Sequence, residues 1–273
     1  MKTTSITLEH KFHKKGMVGR KSVVLFTAIA TLQQQLTSKK TGINVSLALQ
    51  AVTSMTLLCT EKEAHTLRLS SSQRQYLQRA TQQYAAAINQ ATGYLETRGL
   101  SVEEVGRFLL GVVTSPLPGH EAFINRLAIP YITASGVVDI RFRAMNGEEP
   151  KYMGMQGAKT TIYNTPAFFV DSKYICITEG EIDCLTMSVK TKHPTVGIPG
   201  ANNWKPHYSK ILDDYETVIV LADGDNAGSE FAKKIAREVP GTKILSLPEG
   251  EDVNSIFIQQ GKEWLDERIS ECL

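Results

Sequence analysis

The sequence predicts an α/β protein: a mostly parallel sheet flanked by helices in the back half, preceded by a mixed α+β basic subdomain. Two observations carry that reading. After Val170, short apolar runs of strand length alternate with helix-length amphipathic segments, the pattern of parallel strands covered on both faces. Charge divides along the chain as well: residues 1–60 carry eight Lys/Arg against one acid, Glu9, whereas residues 171–273 carry eleven Lys/Arg against eighteen Asp/Glu. The boundaries expected are a basic Ser/Thr-rich segment over 1–70, an N-terminal subdomain over 71–170 and a C-terminal domain over 171–273.

Residues 1–70 contain Lys14, Lys15, Arg20 and Lys21 before an apolar stretch, Val23 to Leu32, that includes Ala28-Ile29-Ala30. This has the outline of a secretory signal, and equally of a basic arm followed by a short core helix. From Ser70, Ser71 or Ser72, apolar residues at three- and four-residue steps (Tyr76, Leu77, Ala80, Tyr84, Ala87, Ile88, Ala91, Tyr94, Leu95) predict one helix ended by Gly99. Ser101 and Glu104 form a capping box for a second helix, carrying Val105, Phe108 and Leu109 and stopping near Gly111. A turn-rich stretch, Pro116 to Gly119, is followed by Arg126 to Tyr131; Val137 to Arg143 then alternates enough to read as a strand, with Asn146-Gly147 as a turn after it and Lys151-Tyr152-Met153 beginning a further short extended piece.

The back half gives strands at Tyr174–Thr178, Thr195–Ile198, Thr217–Ala222 and Lys243–Leu247, with helices over Asp183–Val189, Ala227–Glu238 and Asp252–Gln260. The four cysteines, at 59, 176, 184 and 272, form no CxxC pair and no zinc-spaced Cys/His cluster, so neither a zinc site nor a disulfide scaffold is expected. No apolar run approaches the ~20 residues of a membrane helix.

The chemistry falls at the C-terminal ends of the strands, the edge at which open α/β sheets bind ligands. Glu179 follows the first strand in Glu179-Gly180-Glu181-Ile182-Asp183, Asp223 and Asp225 follow the third, and Glu251-Asp252 the fourth. Carboxylates meeting at one edge repel unless a divalent cation neutralises them, and Mg²⁺ takes one or two carboxylates plus substrate phosphates. Simpler readings exist for each. Asp183 and Asp252 can be helix N-caps. Asp223-x-Asp225-x-x-Gly228 resembles a calcium loop, but Ala227 and Lys234 occupy positions at which an EF-hand needs oxygen ligands.

Glu179-Gly180-x-x-Asp183, Asp223-x-Asp225-x-x-Gly228 and Leu247-Pro248-x-Gly250-x-Asp252-Val253-Asn254 together resemble a TOPRIM domain, the module shared by DnaG-type primases, topoisomerases and certain nucleases. Upstream, Tyr94-Leu95-x-x-Arg98-Gly99-Leu100-Ser101, Arg126-Leu127-x-Ile129-Pro130-Tyr131, Gly136-Val137-Val138, Arg143 and Pro150-Lys151-Tyr152 resemble the segment before TOPRIM in the DnaG polymerase core. The resemblance is to the phage and plasmid version, without a zinc-binding or helicase domain; no Gly-x-x-x-x-Gly-Lys-Ser/Thr motif occurs.

That resemblance implies a DNA primase core joining ribonucleotides on single-stranded DNA with two Mg²⁺ or Mn²⁺ ions. It implies Asp223 and Asp225 as metal ligands, Asp252 as a further ligand or water anchor, and Glu179 as proton acceptor or shared ligand. Asp183 orients the Glu179 turn, while Gly180, Gly224 and Gly228 shape the backbone. Among the clustered basic residues Arg126, Arg141, Arg143, Lys151 and Lys159, it points to Arg126, Arg143 and Lys151 for template and triphosphate. Arg98 and Arg107 read as surface helix residues, and Asn202, Asn203 and Lys205 as a solvated loop. The implied partners are single-stranded DNA, ribonucleoside triphosphates, a replicative helicase and a separate zinc-binding primase domain, with no membrane. The expected location is the cytoplasm, the host's if the chain is phage-encoded. A TOPRIM nuclease or topoisomerase-like strand cleaver and a non-catalytic replication scaffold are the alternatives.

Overall fold

The computed structural model describes residues 69–158, 161–200 and 203–273. The readings made for residues 1–68, Lys159 and Asn202 lie outside the described residues. Residues 69–273 form one compact unit holding two four-stranded sheets.

Helix α1 (Ser71–Ala85) starts as Ser70 predicts: its hydroxyl accepts from the Gln73 N–H and the Gln73 side chain returns a bond to the Ser70 N–H. The single helix expected to run on to Leu95 is broken. After Ala85 the chain passes through a 3₁₀ turn, Ile88–Ala91, into α2 (Thr92–Thr97). The three- and four-residue apolar spacing survives the break, which is why periodicity alone does not reveal it. The Ser101/Glu104 capping box opens α3 (Val102–Val105), which tightens to 3₁₀ through Phe108. That helix ends short of Gly111, which instead begins strand β1 (Gly111–Val112).

Strands β1, β2 (Leu127–Thr133), β3 (Gly136–Arg143) and β4 (Tyr152–Gly154) form an antiparallel sheet in that order. The β2–β3 connection is the tight one; Asn146-Gly147 sits in a longer loop leading to β4. A bulge shifts the register between Val137 and Asp139, and beyond it alternate residues of β3 divide its two faces. Val137, Ile140 and Phe142 pack with Leu77, Ala80 and Tyr84 of α1. Asp139, Arg141 and Arg143 are polar residues lying between these, all largely buried.

The second sheet is parallel, in the order β6 (Thr195–Gly197), β5 (Tyr174–Thr178), β7 (Thr217–Ala222), β8 (Thr242–Ser246). Strands β5 and β7 have the predicted bounds, because each is an apolar run buried on both faces. Helix α4 (Glu181–Thr186) starts two residues before the predicted Asp183 and runs on as a π-turn through Thr191. Helices α5 (Ser209–Leu212) and α6 (Asn226–Glu238) precede and follow β7. Helix α7 (Val253–Cys272) extends well past the predicted Gln260. Two helical runs meet at Gly261, whose φ of 78° breaks the α geometry, and the second run buries Leu265 and Ile269. Among the described residues no helix is long and apolar enough to cross a membrane.

Two features of this architecture place the site. One apolar cluster takes Leu127, Ile129 and Tyr131 from β2 together with Ile182, Cys184 and Leu185 from α4, so the two sheets share a core. Beside it Glu181, only 1% exposed, accepts from Arg141 Nη1 at 2.7 Å and from the Tyr131 hydroxyl at 2.7 Å. Arg141 is therefore committed to an internal ion pair rather than to the outer surface. The second feature is topological. The chain steps from β5 outward to β6 on one side and from β7 outward to β8 on the other. The crevice beyond the C-terminal ends of β5 and β7 is thus a switch point, the place where such sheets bind ligands.

Candidate active site

Glu179 leaves the end of β5 and Asp223 the end of β7, side by side at that switch point. A cavity of about 200 Å³ opens there. Glu179, Asp183, Asp223 and Asp252 line it together with Arg98, Arg143 and Lys151.

The acidic loops are held by backbone fit. Gly224 N–H donates to Glu251 O at 2.8 Å and Gly250 N–H to Gly224 O at 2.8 Å, locking the loop after β7 against the one before α7. A Cβ at Gly224 would stand 1.7 Å from Pro248 O, and one at Gly228 would stand 2.4 Å from Asp223 O and 2.8 Å from Glu179 Oε1. Only glycine permits either approach. At Gly180 the limit is Asp183 itself, whose Oδ2 lies 2.3 Å from where a Cβ would be.

Asp225 and Asp252 do cap helices. Asp225 Oδ1 accepts from Gly228 N–H at 2.7 Å at the start of α6. Asp252 Oδ1 accepts from Ser255 N–H at 2.7 Å at the start of α7. Each cap occupies one carboxylate oxygen, so capping and ligation are compatible in Asp252, which also lines the cavity. Asp225 is not on the cavity wall; its charge is nonetheless felt there.

Asp183 is not an N-cap. Gly180 holds that position, and Asp183 lies buried in the first turn of α4, where its Oδ1 accepts from the Asn254 N–H at 3.0 Å. Burial and the nearby Asp252 charge push its carboxyl upward. Burial, then the charges of Asp225 and Asp183, push Glu179 up to about 7. Burial, then Asp183, Glu179, Asp252 and Asp225, push Asp223 up to about 8. A group of carboxyls raised by desolvation and by one another is a mark of a site awaiting positive charge.

Two atoms test whether a divalent ion fits. Glu179 Oε1 and Asp223 Oδ1 are buried and have no hydrogen-bond partner. Orphaned carboxylate oxygens in a hard-oxygen donor set match Mg²⁺ or Mn²⁺. Among the described residues no three His, Cys, Asp or Glu side chains by themselves complete a metal site. Mg²⁺ characteristically fills the rest of its shell with phosphate oxygens and water.

The basic side differs from expectation in part. Arg143 is buried at 5% exposure, donates from Nη1 to the Tyr152 hydroxyl and lies over the Tyr152 ring at 4.8 Å. Lys151 lines the cavity and is exposed. Arg126 is not on the cavity wall: its Nη1 donates to Pro150 O at 2.8 Å and the residue is buried. Arg98, read as a surface residue, lines the cavity instead, bonded through Nη1 to Asn254 Oδ1. Arg107 lies elsewhere, donating to Ser188 O and stacking on Phe108. Asn203 donates to Pro199 O and Lys205 lies over Tyr208; neither lines the cavity, although Gly200 does.

Residues 176–257, which contain all of these acids, match the family described as Toprim-like. The chain is 48% identical over 148 residues to the Gene 57 protein of Mycobacterium phage D29, covering 52% of this chain and 97% of that protein. It is 24% identical over 225 residues to the DNA primase of Haemophilus influenzae, covering 66% of this chain and 38% of the primase. Among solved structures, a DnaG primase catalytic domain bound to ssDNA superposes with a TM-score of 0.59 at 20% identity, over 74% of this chain and 80% of that one. The chain belongs to the same family as that phage protein, carries a Toprim-like domain and has the fold of a DnaG catalytic core. The parallel sheet β6-β5-β7-β8 falls in the Toprim-like region, and its switch point carries the carboxylates that line the cavity. The chain spans under half the length of the curated bacterial primases it matches.

Proposed function

We propose that this chain is the catalytic core of a DNA primase, joining ribonucleotides into short primers on single-stranded DNA. The observation that carries the reading is the composition of one cavity: orphaned Glu179 and Asp223 oxygens at a switch point, faced by Arg98, Arg143 and Lys151. Cations alone suit phosphate binding; carboxylates alone suit metal binding; phosphoryl transfer needs both.

Asp223, Asp252 and Glu179 would hold the ions, with Asp225 fixing the loop and adding negative charge. When bound, divalent ions acidify the primer 3′-hydroxyl and balance charge on the α-phosphate and the leaving pyrophosphate. The residues supply the rest. Arg98, Arg143 and Lys151 bind and orient the triphosphate, the arginines through paired N–H donors and the lysine as a point charge. Glu179, beside Asp223, shares an ion or receives the hydroxyl proton. The basic side chains bind the template backbone, so affinity falls as salt rises. A replicative helicase and a separate zinc-binding primase domain are the proposed partners.

The test is template-dependent RNA synthesis by the purified chain with Mg²⁺ or Mn²⁺, alone and with helicase and zinc-domain protein added. Chelation by EDTA should abolish synthesis. Asp223→Ala/Asp225→Ala should do the same while circular dichroism stays native. Normal synthesis by that variant would refute the assignment. Cleavage of labelled single-stranded DNA without triphosphates would assign the site to a nuclease.

A further inference from the structure

Asn254 is 1% exposed, yet four hydrogen bonds meet on it. Its backbone N–H donates to Asp183 Oδ1 at 3.0 Å. Its Nδ2 donates to Arg98 O at 2.9 Å and to Thr186 Oγ1 at 2.9 Å. Its Oδ1 accepts from Arg98 Nη1 at 3.3 Å. One residue in the first turn of α7 thus touches a carboxylate and a guanidinium that line the same cavity.

The orientation of the amide follows from its partners. A main-chain carbonyl only accepts, and the Thr186 hydroxyl already donates to Ile182 O at 2.9 Å, so both require Nδ2 as donor. The carboxamide oxygen is thereby turned toward Arg98. On its other side the guanidinium lies over the Tyr94 ring, 5.6 Å from the centroid. So held, Arg98 shares the cavity with four carboxylates and, among the described residues, forms a salt bridge with none of them. An arginine that closed onto Asp183 or Asp252 would neutralise the groups meant for cations and be lost to phosphate.

We propose that Asn254 is a positioning residue for the reaction, its side chain keeping Arg98 on the cavity wall for the triphosphate and its backbone N–H holding Asp183 in place. The proposal rests on the function proposed above. Steady-state primer synthesis by the full chain, with ATP affinity from calorimetry, tests it. Asn254→Ala and Arg98→Ala should each raise the KM for triphosphate about tenfold, the scale of one charge-assisted hydrogen bond. Turnover should change less than about threefold. Combined, they should do no more than either alone. Asn254→Asp, whose carboxylate cannot donate to Arg98 O and would pair with the guanidinium, should leave KM raised. Thr186→Val, which removes a different bond of the same amide, should lower the melting temperature and leave KM unchanged.

Multiplying effects of Asn254→Ala and Arg98→Ala would overturn the proposal, as would a Thr186→Val variant with the KM of Asn254→Ala. Those results would make Asn254 a brace between α7 and the Arg98 segment and nothing more. If the unmodified chain makes no primer, the functional reading fails, and ATP affinity across the same variants decides the positioning claim by itself.

Discussion

Replacing Gly224 with alanine should disable the site without touching any charged group. The Cβ would lie 1.7 Å from Pro248 O and 2.6 Å from Pro248 C, where ordinary contact starts at 3.4 Å. The obstruction is backbone, which has no rotamer to escape into. Relief therefore needs about 1.7 Å of separation between the loop bearing Asp223 and Asp225 and the loop leading to Asp252. The two reciprocal bonds, Gly224 N–H to Glu251 O and Gly250 N–H to Gly224 O, would break or stretch with it. A misplacement of ~1 Å in a reacting constellation costs on the order of 10²-fold in rate, so Gly224→Ala should lose at least that, roughly 2.7 kcal/mol of transition-state stabilisation. Overpacking should also cost the fold about 1–3 kcal/mol. The assay is metal-dependent primer synthesis beside Mn²⁺ binding by EPR and a thermal melt. Gly106→Ala is the control: it has helical dihedrals and nothing within 4 Å of the new Cβ, so it should be neutral or stabilise by about 0.5–1 kcal/mol. Synthesis within about threefold of the unmodified chain by a folded Gly224→Ala protein would refute the claim that loop-to-loop contact sets the carboxylate spacing.

Burial pushes the Asp139 carboxyl up to about 6 from an unfolded value near 3.8, so the folded chain holds this proton more tightly. The stabilisation is fully present below about pH 4 and is lost as pH rises through about 6. Asp139→Asn should therefore stabilise by up to about 3 kcal/mol at pH 8 and by roughly half of that at pH 5, read from the melting temperature at each pH; equal gains at both would count against the shift. Arg141→Met should strand the Glu181 carboxylate in the interior and cost roughly 3–5 kcal/mol by urea unfolding, with most of it returned in Arg141→Met/Glu181→Gln. An Arg141→Met protein as stable as its parent would show that Glu181 is held by Tyr131 alone.

The TOPRIM sheet was legible because its strands are short, apolar and buried on both faces, with acids immediately after them: Glu179 after β5 and Asp223 after β7 need no tertiary knowledge to be noticed. The order β6-β5-β7-β8, which sets those two acids side by side, follows from which strands pair and is not carried by any local pattern. Arg98 was misplaced for a related reason. On its own segment it looks like any helical arginine, and what brings it to the cavity is an amide 156 positions later. Arg126 differs in the opposite sense: its neighbours are basic, but Pro150 O draws its guanidinium into a structural bond, as Glu181 does for the neighbouring Arg141. Gly261 reads as a helix stop, and it does interrupt the helix, but Leu265 and Ile269 beyond it have a core to reach. Asp252 shows that a cap and a site residue need not be alternatives, since a carboxylate has a second oxygen.

Because β2 and α4 interlock through one packed cluster, the wall that carries Arg143 and the wall that carries Asp183 belong to a single rigid casting. A ligand entering the cavity therefore meets acidic and basic groups at a preset spacing rather than ones that must first be gathered around it.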